Sequence, residues 1–194
     1  MHSTSKSSKG LHTPPHWPSH IRYISKQLYH SSVLPDIRRQ ICPQSSAMSE
    51  DGGCSSRSLV AIRLISDPTH PANGQYGLFA AKKIPPRTHI LDYAGEVHCD
   101  DRPESDYDLS LYRTQNGISV GVDARAMGNE ARFVNDYRGI KPKPNAAFEE
   151  RTMAGELRMS VVSGSEFIKK GDEILVSYGK SWWRARSEGT SATG

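Results

Sequence analysis

Three short stretches carry the residue types that could bind and orient a small ligand. Gly74-Gln75-Tyr76-Gly77 sits where a strand-like run meets a turn, and glycine lets backbone approach a ligand closely. Taken alone it also reads as a plain turn. It is neither a dinucleotide fingerprint nor a phosphate loop. Asn135 and Asp136 follow the apolar pair Phe133-Val134, and Pro144-Asn145 lies further along. Arg138, Gly139, Lys141, Pro142 and Lys143 stand between them. That stretch is either a basic surface loop or a loop whose backbone and Asn amide bind a polar ligand edge. Tyr178-Gly179 closes an apolar run, and Trp182-Trp183 follows. Nothing in the chain spells out a Ser/His/Asp triad or a carboxylate pair. His70, His89 and His98 are scattered and read as structural.

These residues need a frame. Ser58–Ile65, Gly77–Ile84, Thr88–Val97, Asp108–Arg113, Ile118–Val122, Arg158–Val162 and Glu173–Tyr178 are short, β-branched or alternating runs, and each predicts a strand. Asn116-Gly117 between two of them predicts a hairpin. Arg125–Phe133 is expected to form a short helix. Strands do not alternate with helices, so a doubly wound sheet is disfavoured and the fold class is mainly β. No internal repeat is visible.

Composition separates this frame from what precedes it. The chain has 194 residues, enough for one ordinary domain with a tail, and only 36% are hydrophobic. Residues 1–58 hold seven bases and three acids, a net of +4, so the remainder is balanced. The basic isoelectric point is therefore a property of the tail, and direct nucleic-acid binding by the fold is not expected. Residues 1–20 are rich in Ser, Pro and His and cannot offset chain entropy by burial. Ile21, Ile24 and Leu28 fall at helical spacing, which allows one or two turns within 21–41. Residues 1–57 are expected to be a disordered basic tail and linker, and 187–194 a disordered C-terminus. Cys42, Cys54 and Cys99 form no close pair, which argues against structural zinc and suits a reducing compartment. No apolar run approaches the roughly 20 residues of a membrane span, and no secretory core is visible. The absence of acids before Asp36 also suits a mitochondrial transit segment.

Taken in order, the pieces resemble a SET domain, the protein-lysine methyltransferase fold, over about residues 58–186. Gly77-Leu78-Phe79-Ala80 with Ile84-Pro85 looks like the family's first motif. Tyr93-Ala94-Gly95-Glu96 matches the next. Asp123-Ala124, Gly128-Asn129, Arg132-Phe133-Val134-Asn135 and Pro144-Asn145 look like the third. Gly171-Asp172-Glu173-Ile174-Leu175-Val176-Ser177-Tyr178-Gly179 is similar to the last. The resemblance implies several short sheets with a knot-like C-terminal segment.

It also implies an activity and its residues. The cofactor would be S-adenosylmethionine and no metal would be required. Tyr76, Gly77 and Leu78 would line its methionine end through their backbone, and Asn135 and Asp136 would hold its adenosine and amino-acid portions. Gln75, Arg132 and Tyr178 belong to the same cofactor-binding set, and Trp183 would cover the site. Tyr178 would be the catalytic tyrosine, with Tyr107 a second channel tyrosine. A tyrosine's reference pKa near 10 makes it a poor base at neutral pH, so its better role is orientation. The implied partner is a protein bearing a target lysine: a histone tail first, a non-histone protein second. The acidic run Asp100, Asp101, Glu104, Asp106 and Asp108 is either a groove for a basic peptide or a solvated loop face. The nucleus is favoured, then the cytoplasm, with the mitochondrion third.

Departures from the family pattern leave a rival open. Asp136 replaces a histidine, and Gln75 takes the usual first glycine position. Val176 stands where the family often has Phe or Tyr, which predicts room for more than one methylation. The rival is a SET-fold protein-binding module without catalysis.

Overall fold

The computed structural model describes residues 13–43, 59–180, 182 and 183. Its elements, in chain order, are β1 (Arg22–Tyr23), β2 (Leu28–Tyr29), α1 (Pro35–Ile41), β3 (Val60–Leu64), β4 (Tyr76–Ala80), β5 (His89–Asp92), β6 (Glu96–His98) and β7 (Asp108–Arg113). Then come β8 (Ser119–Asp123), β9 (Met127–Gly128), a 3-10 helix (Glu130–Phe133), β10 (Asn135–Asp136), β11 (Ala146–Met153), β12 (Glu156–Ser163) and β13 (Leu175–Val176). The fold is mainly β, as expected, and the strands form several small sheets.

Alternation explains the largest sheet, β2-β6-β8-β7. Val97, Val120, Val122 and Leu111 point one way and are fully buried or nearly so. Burial of such side chains contributes about 1.5–3 kcal/mol each. The Asn-Gly signal holds: β7 and β8 are antiparallel, and Gly117 takes φ +83° in the loop between them. Sheet β11-β12-β5 and the β3-β4 pair pack on the same core through Ile62, Leu78, Ile90 and Val161.

The C-terminal segment is held along its length by the 135–145 loop. Strand β10 pairs in parallel with β13, and Tyr137 N–H donates to Val176 O at 2.9 Å. Asn145 completes the grip: its Nδ2 donates to Glu173 O at 2.7 Å, and its Oδ1 accepts from Leu175 N–H at 2.8 Å. This matches the expected knot-like arrangement and explains why Asn145 is an amide, since it must donate and accept at once.

Three expectations are corrected. Residues 13–43 are not a tail: β1 pairs in parallel with β9, β2 pairs in parallel with β6, and Ile21, Ile24, Val33, Ile37 and Ile41 are buried. Ile21, Ile24 and Leu28 belong to extended chain rather than helix, because strand partners distant in sequence override the local spacing. The helix lies later, at α1, with Pro35 in its first turn. The 125–133 helix shrinks to the 3-10 turn, capped by Asn129, whose Oδ1 accepts from Ala131 N–H at 3.3 Å. Strand β11 was not expected. It joins β12 through Ala154-Gly155, both at positive φ, the geometry of a tight two-residue hairpin turn. Residues 1–12 of the expected tail, all of the expected 43–57 linker but its first residue, and the expected C-terminal tail at 187–194 lie outside the described residues.

Candidate active site

Strand β4, the 3-10 helix, β10 and the segment after β13 converge on a cavity of about 560 Å³. That size falls in the range of small-molecule sites. Gln75, Tyr76, Tyr107, Arg132, Asn135, Asp136, Tyr178 and Trp183 all line it, so the sequence-derived residues are brought together. Gly77 and Leu78 are the exceptions. Leu78 is fully buried in the core. Gly77 lies against Glu173, where an added Cβ would come within 2.7 Å of the carboxylate Oε1.

Tyr178 is fixed at both ends. Its hydroxyl donates to Val134 O at 2.7 Å, and its backbone N–H donates to Asp136 Oδ2 at 2.8 Å. Burial, reinforced by the charge of Asp136, pushes the phenol well above its usual value. The group therefore stays protonated at neutral pH, which suits orientation rather than proton abstraction. Tyr93 stands beside it in the same state: burial raises its hydroxyl strongly, and that hydroxyl donates to Tyr107 O at 2.7 Å. Phe148, from β11, meets the Tyr93 ring edge-on at 5.8 Å. Arg132 lies 4.2 Å from the centre of the Tyr107 ring, and its Nε donates to Ala124 O at 3.0 Å.

Asp136 is buried and works through its side chain. Beyond Tyr178, it accepts from Arg138 N–H and from the Arg138 guanidinium, both at 2.9 Å, and from Trp183 Nε1 at 3.3 Å. The guanidinium of Arg138 lies 5.5 Å from the centre of the Trp183 ring. Trp182 packs edge-on against Tyr178 at 4.8 Å. A carboxylate in this position thus joins the tyrosine strand to the aromatic cover.

Several wall residues were not foreseen as site residues. Tyr93 was part of a recognised motif but carried no role. Phe148 lay in the missed strand. Pro18, His20 and Ile21 come from the segment expected to be a tail. His70, structural by its sequence context, also stands on the wall. Val176 is fully buried and is not among the wall residues. Of the acidic run, Asp106 reaches the wall. Asp100 accepts from Ser32 and Arg102, and Asp108 pairs with His98. No helix among the described residues is long and apolar enough to cross a membrane.

The model of the SET domain family matches residues 75–179. Similar curated proteins include human histone-lysine N-methyltransferase EHMT1, 28% identical over 112 residues, and Caenorhabditis elegans histone-lysine N-methyltransferase set-2, 32% identical over 111. Mouse "Inactive histone-lysine N-methyltransferase 2E" is 29% identical over 109 residues. These matches cover 52–56% of this chain but only 6–8% of the relatives' own lengths. Among solved structures, ATXR5 in complex with histone H3.1 mono-methylated on R26 superposes with a TM-score of 0.59 at 18% identity. That match covers 83% of this chain and 82% of the other, and it shows a shared fold.

Proposed function

This chain belongs to the SET-domain family, and we propose that it is an S-adenosylmethionine-dependent protein-lysine N-methyltransferase. The observation that carries the proposal is Tyr178, half-buried, protonated and locked by Val134 O and Asp136 on the wall of the cavity. The residues present fit the cofactor. Asn135 offers an amide oxygen, and Tyr76, Arg132 and Trp183 line the same cavity. When bound, the cofactor supplies an electrophilic methyl group on a sulfonium.

The chain's residues do the rest. Tyr93, Tyr107, Phe148 and Tyr178 make a largely aromatic wall. Such a surface disfavours the ammonium form of lysine, whose free pKa is about 10.4, and so favours the neutral amine that can attack. Tyr178 spends its proton on Val134 O, which leaves its oxygen lone pairs to orient a methyl group through weak C–H···O contacts. Asp106, on the wall, favours a basic peptide, and a histone tail is the first substrate class to test. A histone substrate would place the protein in the nucleus.

The rival is a SET-fold binding module. The inactive relative keeps that reading in view, and Asp136 is the departure that favours it. Incubating the full chain with methyl-labelled cofactor and a histone mixture or whole lysate separates the two. Label recovered as methyl-lysine, and lost in Tyr178→Phe, is the expected result. A folded chain that transfers no methyl to any lysine supports the binding module.

A further inference from the structure

The cavity wall holds a relay that begins outside the family-matched segment, at His70. Ala72 N–H donates to His70 Nδ1 at 3.0 Å, so that nitrogen is an acceptor and the ring proton sits on Nε2. Nε2 lies 2.9 Å from Glu173 Oε2, in a pair whose side chains are 9% and 7% exposed. The other carboxylate oxygen, Oε1, accepts from Asn135 Nδ2 at 2.8 Å. A carboxylate only accepts, so it can face only the NH2 half of the Asn135 amide. The amide oxygen is thereby turned away from Glu173, on a residue of the cavity wall. Gly77 makes room for this arrangement, since a side chain there would collide with Glu173 Oε1.

We propose that His70 is a positioning residue that, through Glu173, sets which half of the Asn135 amide meets the ligand. The inference rests on the cofactor reading above. An amide oxygen on the wall suits an ammonium donor, and the cofactor's amino-acid end carries one. Loss of the His70 donor frees Glu173 to rotate, and the Asn135 amide loses its fixed sense. The residue never touches reacting atoms.

The test is calorimetric titration of the full chain with two ligands. One is S-adenosylmethionine. The other is 5′-methylthioadenosine, which keeps the nucleoside and sulfur but lacks the amino-acid end. The variants are His70→Ala, His70→Asn and His70→Gln. A glutamine amide nitrogen reaches the place of Nε2, whereas an asparagine nitrogen reaches only that of Nδ1. His70→Ala and His70→Asn are expected to weaken S-adenosylmethionine about tenfold, the scale of a charge-assisted contact. Both should leave 5′-methylthioadenosine within about twofold, and His70→Gln should restore most of the loss. Equal weakening of both ligands, or no recovery in His70→Gln, would mean a merely structural histidine and overturn the proposal. So would unchanged affinity in His70→Ala. A folded wild-type chain that binds neither ligand would sink the cofactor reading, and the relay with it. Wild-type binding with indifferent variants would sink the relay alone.

Discussion

The carboxylate of Asp136 accepts a hydrogen bond from the backbone N–H of Tyr178 at 2.8 Å. The same oxygen lies 3.3 Å from Trp183 Nε1. One buried anion therefore ties the backbone of Tyr178 to the ring of Trp183. Asp136 and Gln75, the two departures from the family pattern, both stand on the cavity wall.

Removing that anion should be costly. Asp136→Ala leaves the Tyr178 N–H and the Arg138 guanidinium without their partner. Loss of a charge-assisted bond to such a half-buried group costs about 1.5–3 kcal/mol. Thermal unfolding should fall accordingly, and cofactor affinity should drop at least about tenfold. Asp136→Asn keeps one acceptor oxygen and should lie between the two. Unchanged stability in Asp136→Ala would remove the strut.

Tyr178→Phe should separate binding from turnover. It deletes a hydroxyl held by Val134 O without disturbing the backbone bond to Asp136. Methyl transfer should fall about a hundredfold, the scale of a lost orientation, while cofactor affinity stays within about twofold. The phenol's raised pKa keeps it protonated through the assay range. The rate should therefore rise with pH as substrate lysine loses its proton, with no opposing limb from Tyr178. A wild-type rate that declines near pH 9, in a chain that remains folded there, would contradict this assignment.

Acid stability should depend on Asp92. Burial alone would raise this carboxyl, but hydrogen bonds from His89, Ser160 and Arg158 outweigh it and hold it well below the usual carboxylate range. A depressed folded-state pKa contributes stability that is present above the unfolded value near 4 and lost as pH falls toward the folded value. Unfolding midpoints should decline steadily below about pH 4, and Asp92→Asn should flatten that decline. Equal acid sensitivity in the variant would assign the loss elsewhere.

The N-terminal segment should be inseparable from the domain. Trp17 packs edge-on against Tyr23 at 4.9 Å and Phe133 at 5.6 Å, and its Nε1 donates to Ile21 O at 2.7 Å. Trp17→Ala should cost about 3 kcal/mol, given the cavity it leaves. Deleting residues 1–43 should expose the β6 edge and the Phe133 face, and yield aggregated protein. A stable, monomeric 44–194 fragment would refute this.

The site was legible where the chain carries ordered motifs. Asn135, Asp136, Tyr178 and Trp183 could be placed together because family order stands in for contact. What failed was contact without such order. Strands β1 and β2 are two residues each and pair in parallel with partners far along the chain, so no local pattern marks them. Strand β11 carries Glu149, Glu150 and Arg151 on a sheet edge and ends in Ala154-Gly155, which lacks the usual Asn-Gly or Asp-Gly turn. Gly77 carried the one available hint of Glu173, since a glycine inside a strand often marks close approach by another group. His70 gave no signal, because its partner lies 103 residues away.

The most direct measurement is calorimetric titration of the full 194-residue chain with S-adenosylmethionine, beside Asn135→Ala. One site of micromolar affinity is expected in the wild type, lost in a variant that remains folded. A folded wild-type chain that takes up no S-adenosylmethionine would contradict the methyltransferase assignment and leave a SET-fold binding module in its place.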